Sequence, residues 1–413
     1  MLIAGGAFRD LQFRLFFGGV FFAVQAIWIQ RVTLGWLAWE RTGSASVVGV
    51  VAGLSLAPTI VAGPLFGVLA DRVNIKRAAM VTNGLMAALL AILALGAAEV
   101  GAAGLALAAL GIGAISAAHH PIRMSLGPRL VAADLVQHVV AVTALNFNLA
   151  RLTAPVFAGW IIATLGGGVA LWIAAACYVP MLVVLPILHP RDLPVRAQAS
   201  FLADLAEGVR FALSQPLIRR ALLITLVFAT VARGALEVLP VLADGGFARG
   251  AAGLGFLTAA AGGGALIAAL FKAVGFGAAG ARIPVLVWIS AFAGQGAVMA
   301  MGLAPSWPLA LAATALTGMA STWCGVSLQA AIQSDLPDAY RGRVMSLWIV
   351  VGIGTVALGA LAIGTLADLL GIAPALTWMG LGGTVAMGLV ALGVRRREKR
   401  PMSGGKISGG ETR

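Results

Sequence analysis

Gly67-Val68-Leu69-Ala70-Asp71-Arg72-Val73-Asn74-Ile75-Lys76-Arg77 crowds one carboxylate and three cations into a short connection between two long apolar runs. Each run, near 45–69 and 78–97, holds the ~20 apolar residues that a helix needs to cross a bilayer. The stretch therefore reads as the turn of a membrane hairpin. Cations beside an apolar span mark its cytoplasmic end, and Asp71 can pair with one of them or with the positive N-terminus of a nearby helix. Two readings stand: interfacial charge that anchors the hairpin, or a conformational latch formed by Gly67, Asp71, Arg72, Lys76 and Arg77.

Composition fixes the class. Of 413 residues, 60% are hydrophobic and 10% charged, and the mean hydropathy is +0.99, outside the range of soluble domains. The chain reads as a polytopic protein whose first partner is the lipid bilayer. A net charge of +13 would suggest nucleic acid only if the cations formed a patch on a folded soluble surface. They are spread over short connections instead, so no nucleic-acid partner is expected. Cys177 and Cys324 lie inside apolar segments, which argues against a disulfide framework. No metal site, cofactor or catalytic constellation is apparent, so no enzyme activity is expected. The first apolar run, 15–39, is too long for a signal-peptide core and is read as a mature helix.

Spans fall near 15–39, 45–69, 78–97, 101–120, 138–164 and 168–188, then near 221–241, 251–271, 283–304, 307–331, 345–367 and 373–394. The predicted fold is all-α membrane, with twelve transmembrane helices in two six-helix pseudo-symmetric bundles. Residues 1–188 form the N-terminal bundle, and 189–220 a cytoplasmic linker carrying a surface helix. Residues 221–394 form the C-terminal bundle, and 395–413 a basic, disordered tail. Most of the 28 lysines and arginines fall on one side, Arg123 among them, which puts both termini in the cytoplasm. Trp36, Trp39, Trp172, Trp307 and Trp378 fall at the outer ends, as an aromatic belt would. The halves match at an offset of about 205: Arg14 with Arg219, Arg77 with Arg282 and Gly159 with Gly364. A parallel repeat about an axis along the membrane normal places a binding site between the halves.

An arginine at the centre of a span costs about 2.5–3.5 kcal/mol on insertion scales, so intramembrane charge is a functional candidate. Arg31 lies on the first helix, and Arg233 and Glu237 at a similar level on the seventh; the offset sets Arg31 beside Glu237. Thr230, Arg233 and Glu237 would share a face of a regular helix. Either Arg233 and Glu237 form a self-satisfied pair, or Glu237 exchanges a proton in a wet cavity. Arg31, with Trp28 and Gln30 near it, either snorkels outward or faces the cavity. Asn148, Arg151 and Pro155 share a face of the fifth helix, serving either a binding cavity or helix packing. Trp323, beside the hydroxyls of the tenth helix, completes the cavity candidates. Ala154, Pro155, Ala158 and Gly159 form a ridge of mostly small residues on the fifth helix that permits close approach. Glu40, Glu99 and Asp368 read as interfacially solvated, and His119 and His120 as interfacial.

Gly67-x-x-x-Asp71-Arg72 with Lys76-Arg77 resembles the signature between helices 2 and 3 of the major facilitator superfamily. Thr42-Gly-Ser, Leu69-Ala-Asp-Arg72, Asn148-Leu-Ala-Arg151, Pro155 with Gly159, and Pro337-Asp-x-x-Arg341-Gly-Arg-Val-Met-Ser346 resemble its bacterial exporter branch, which includes enterobactin exporters and macrolide efflux proteins. The resemblance covers about residues 8 to 395. It implies alternating access to a central cavity lined by helices 1, 4, 7 and 10, in the bacterial inner membrane, with export by proton antiport. It also implies that Asp71 faces the start of helix 11 and stabilises the outward-facing state. Where the family has glycine after Asp-Arg-x, this chain has Asn74, which enters the left-handed region more easily than most residues. The expected function is proton-coupled export of a small amphipathic or anionic metabolite, siderophore or drug by a monomer. The alternatives are an uptake carrier of a small organic solute or lipid, and a transport-inactive scaffold or sensor.

Overall fold

Long apolar runs punctuated by glycine and proline fold as helices, and among the described residues the computed structural model contains no strand. It describes residues 6–72, 74–191, 209–275, 283–334, 336 and 338–398; of 61–72, 338, 339, 341, 342 and 394–398 it describes the backbone alone. In chain order the helices are α1 (Leu11–Thr42), α2 (Ala45–Arg72), α3 (Ile75–Leu95), α4 (Ala102–Leu126), α5 (Val136–Leu165) and α6 (Gly167–Ile187). There follow α7 (Pro216–Phe228), α8 (Gly250–Ala273), α9 (Val285–Leu303), α10 (Trp307–Ser334), α11 (Asp338–Leu370) and α12 (Ile372–Glu398). Among the described residues ten helices are long and apolar enough to cross a membrane, and Ala45–Ile60 within α2 is a shorter apolar helix.

Helix ends follow local chemistry. Asp10 caps α1, its Oδ1 accepting the backbone N–H of Gln12 at 2.7 Å, which satisfies a donor that the helix leaves free. Gly43, at φ 61°, closes the same helix by donating to the Trp39 carbonyl, a left-handed position where a side chain would be strained. Asn74 corrects an expectation. Its φ is −61° and its Oδ1 accepts from Arg77 N at 3.0 Å, so it serves as the N-cap of α3 and visits no left-handed conformation. Helix α4 runs to Leu126, beyond the predicted 120, because a helix continues through polar residues at which an apolar count stops.

The seventh element departs most from the predicted regular span. After Phe228 the chain widens into a π-helical turn, Ala229–Arg233. It then tightens, Leu236 donating to Arg233 and Glu237 to Gly234, before resuming at Leu239–Val241. Pro240 explains the break: it has no N–H to donate and its ring clashes with the carbonyl four residues back. Such single widened turns cluster at functional sites.

Among the described residues, α5 packs closely on α8 and α2 on α11. On α5, Ala154, Pro155, Ala158 and Gly159 are buried. A Cβ on Gly159 would stand 2.6 Å from the Ala251 carbonyl oxygen of α8, and one on Gly255 would stand 2.7 Å from that of Pro155. Helices α2 and α11 meet in the same way, Gly364 against the Ala45 carbonyl and Gly49 against that of Ala360. The sequence offset reappears here as contact: Gly159 and Gly364, which it makes equivalent, each press on the first turn of a helix from the other half.

Gly67, Asp71 and Arg72 lie on the last turns of α2, and their side chains fall outside the described residues, as does most of the predicted linker helix and the tail beyond 398. Of the latch residues that are described, Lys76 donates from Nζ to the Pro186 carbonyl at 2.5 Å. That contact ties α3 to the end of α6.

Candidate functional site

A cavity of about 320 Å³ opens between the helices. Its wall is largely apolar, with polar groups from Gln30 and Arg31 of α1, Ser55 and Thr59 of α2, and Ser116, His119, His120 and Arg123 of α4. Phe147 of α5, Glu237 and Pro240 from the broken seventh element, and Thr258 of α8 complete the polar and aromatic lining. An apolar space with a few convergent polar groups is the usual form of a small-molecule site.

On its wall Arg31 donates from Nη2 to Glu237 Oε1, a salt bridge between α1 and the seventh element. The Arg31 side chain is 48% exposed and that of Glu237 11%. Glu237 is therefore paired across the molecule rather than with Arg233 one turn before it. The reason is local: with a widened turn followed by a tightened one, positions 233 and 237 no longer share a face. Arg233 turns instead toward α11, its Nη1 lying 3.9 Å from where a Cβ on Gly352 would stand. Thr230 spends its hydroxyl on the Leu226 carbonyl of its own helix, at 2.8 Å.

Arg31 does not stand alone. Its Cζ lies 5.8 Å from the ring centroid of Trp28, and the Cζ of Arg151 lies 5.9 Å from the same ring. Trp28 also meets Phe147, with centroids 5.7 Å apart, and Arg123 stands 6.0 Å from the Phe147 centroid. Cations and π-faces thus alternate in one cluster, of which Arg31, Phe147 and Arg123 reach the cavity, each guanidinium gaining stabilisation from a ring quadrupole. Gln30 is buried and accepts from the Tyr178 hydroxyl at 3.2 Å, which fixes its amide at the cavity edge.

The remaining candidates sit elsewhere. Asn148 donates to the Ala144 carbonyl of its own helix at 2.9 Å. Trp323 packs under Lys272 at the end of α8, with Nζ 4.3 Å from the ring centroid. Trp28, Asn148, Arg151, Thr230, Arg233 and Trp323 are not among the residues that line this cavity, whereas Gln30, Arg31 and Glu237 are.

Two cavity-lining positions escaped the sequence reading. Arg123 was predicted to be a cytoplasmic cation but is 6% exposed inside α4, and His119 is 4% exposed. Their one-turn spacing with Ser116 was the available signal. Asp368 is exposed near the end of α11, as expected, and is also bonded: Oδ1 accepts from Ala45 N at 2.6 Å, while Oδ2 accepts from Ser46 N at 3.0 Å and from Ser44 Oγ at 2.8 Å. Trp39 is not merely interfacial, since it donates from Nε1 to Asp244 Oδ2 at 2.8 Å. Two of these cross-links, at Trp39 and Ala45, lie within a few residues of Gly43, and the one at Arg31 lies 11 residues back from the end of α1. Among the described residues no group of three or more His, Cys, Asp or Glu side chains is placed to hold a metal ion.

The model of the transmembrane secretion effector family matches residues 5–402. The chain is 29% identical over 362 residues to the enterobactin exporter EntS of Shigella flexneri, covering 87% of this chain and 81% of that one. The same figures hold for the enterobactin exporter EntS of Escherichia coli O139:H28. Among solved structures, a POT family transporter in complex with 5-aminolevulinic acid superimposes with a TM-score of 0.72 at 13% identity, over 95% of this chain and 97% of that one. A bacterial homologue of the human lysosomal transporter Spinster, inward-facing and unoccupied, gives 0.70 at 14% identity, over 95% and 99%. At those identities the likeness to the solved structures is one of fold alone. The family and these relatives are transporters, not enzymes.

Proposed function

Because the chain belongs to the transmembrane secretion effector family of the major facilitator superfamily, we propose that it is a secondary active exporter working by alternating access and coupled to protons. Its cargo is a small amphipathic or anionic molecule, a metabolite, siderophore or drug. The observation that carries this reading is the Arg31–Glu237 bridge, which closes across the two halves inside the cavity. A carboxylate held by an arginine at depth is stable only while the pair is intact. An anionic group of the cargo competes for Arg31; Glu237, released, takes up a proton instead of standing as an unpaired charge.

The 29% identity to enterobactin exporters supports outward transport and a siderophore as one class of cargo. In this reading twelve helices form two six-helix bundles, 1–188 and 221–394, joined by a cytoplasmic linker, with both termini in the cytoplasm. The protein sits in the bacterial inner membrane and works as a monomer. The glycine contacts between α5 and α8 and between α2 and α11 serve as the surfaces on which the bundles rock.

Profiling small molecules inside and outside cells with and without the gene tests export: a solute that accumulates inside on deletion is expected. An unchanged distribution for every solute would defeat the transport reading, and accumulation outside would reverse its direction. In proteoliposomes loaded with that solute, Glu237→Gln is expected to abolish transport driven by a pH gradient while the protein still inserts. Unaltered coupling would assign Glu237 a structural role only.

A further inference from the structure

We propose that Arg123, with His119 one turn before it, forms a second anion-binding point in the cavity, one that grips an oxyanion group of the cargo on the N-terminal half. The proposal rests on the reading of the protein as a carrier of anionic solutes and names a group that this reading does not use.

Arg123 is 6% exposed and lines the cavity. Neither its Nε nor its Nη1 meets an acceptor, and Nε2 of His119 has no partner among the described residues. His119 Nδ1 faces Thr82 Oγ1 at 3.4 Å, so the free nitrogen is the one on the far side of the ring. Buried charge without an acceptor is rare in native proteins and calls for a missing partner. The Phe147 ring, 6.0 Å from Arg123 Cζ, offsets part of the charge but accepts no N–H bond in the guanidinium plane.

A small void of about 10 Å³ beside Asn83, His119 and Arg123 has room for about one water. A water can satisfy a donor there, but it does not neutralise a guanidinium. Glu237, the carboxylate among the lining residues of these two spaces, is already held by Arg31. Arg31 lies 11 residues from the end of α1, and Arg123 lies 21 residues from the start of α4. At ~1.5 Å per residue the two cations therefore stand at levels roughly 15 Å apart. A planar fork of N–H donors at the cavity wall suits a carboxylate or another oxyanion.

The test is equilibrium binding of 1-naphthoate and of its uncharged analogue 1-naphthamide to the purified full chain in lipid nanodiscs. The unaltered protein is expected to prefer the carboxylate. Arg123→Gln is expected to weaken naphthoate binding about tenfold, with naphthamide unaffected, and Arg123→Lys to restore part of the preference. Equal loss for both probes in Arg123→Gln would make Arg123 a packing residue and overturn the proposal. Retention of the preference in Arg123→Gln but not in Arg31→Gln would also overturn it, while leaving the anionic-cargo reading intact. No preference in the unaltered protein would defeat that reading and the second site together.

Discussion

The carboxylate of Asp368, near the end of α11, accepts the backbone N–H of Ala45, the first residue of α2, at 2.6 Å. A helix late in the chain thereby caps one near its beginning, and the negative charge lies against the positive end of the α2 dipole. With Ser44 Oγ and Ser46 N on the same carboxylate, the contact closes the Gly43 end of the bundle.

Asp368→Ala removes these acceptors, and loss of a cap costs about 1–2 kcal/mol. The ratio of the form closed at the Gly43 end to the form open there is expected to fall about 5- to 30-fold. Distances between spin labels on the adjoining ends of α2 and α11, measured in nanodiscs, read that ratio directly. An unshifted distance distribution would mean that Asp368 stabilises both forms alike.

Arg31→Gln leaves Glu237 without its cross-molecular partner and lowers the positive charge of the cavity. Transport of anionic solutes is expected to weaken at least several-fold more than transport of neutral ones, as initial rates in proteoliposomes will show. An equal loss for every solute would point to misfolding.

Gly255→Leu forces a side chain into the Pro155 carbonyl, which already lies 2.7 Å from the place a Cβ would take. Overpacking of this kind costs about 1–3 kcal/mol or more. The detergent-solubilised protein is expected to melt several degrees lower, and its transport rate to drop. A thermal-unfolding series with Gly255→Ala as the milder variant grades the effect.

Asp71→Asn is expected to weaken the outward-facing state without touching the cavity. Accessibility of engineered cysteines at the two ends of the bundle, compared between variant and parent, reports the shift; unchanged populations would leave the 67–77 stretch as a positive-inside anchor.

Much of this arrangement was legible in the sequence, and the failures have physical causes. The offset of about 205 set Arg31 beside Glu237 before any coordinates, because equivalent helices meet at one level about the axis. It did not give the pairing: a regular 3.6-residue repeat set Arg233 against Glu237, and only the turn broken at Pro240 separates them. The solvated position of Asp368 was legible but its capping role was not, because a cap supplied by a helix more than 300 residues away leaves no local pattern. Arg123 was misread because counting apolar residues ended α4 near 120, so a buried guanidinium passed for a solvated one. The packing ridge of α5 was visible because small residues at helical spacing carry their meaning locally.

Trp39 and Asp244 stand 205 positions apart and are hydrogen-bonded to each other; Arg31 and Glu237, 206 apart, are bonded likewise. Positions related by a twofold can touch each other only where the axis passes between them, and there identical residues confront themselves. At an offset of 205 the equivalents of Asp244 and Glu237 are Trp39 and Val32, so two copies of residues 1–188 paired in this way would oppose Trp39 with Trp39 and Arg31 with Val32. Both contacts therefore join unlike residues, and neither stretch of the chain could supply the two sides of either one.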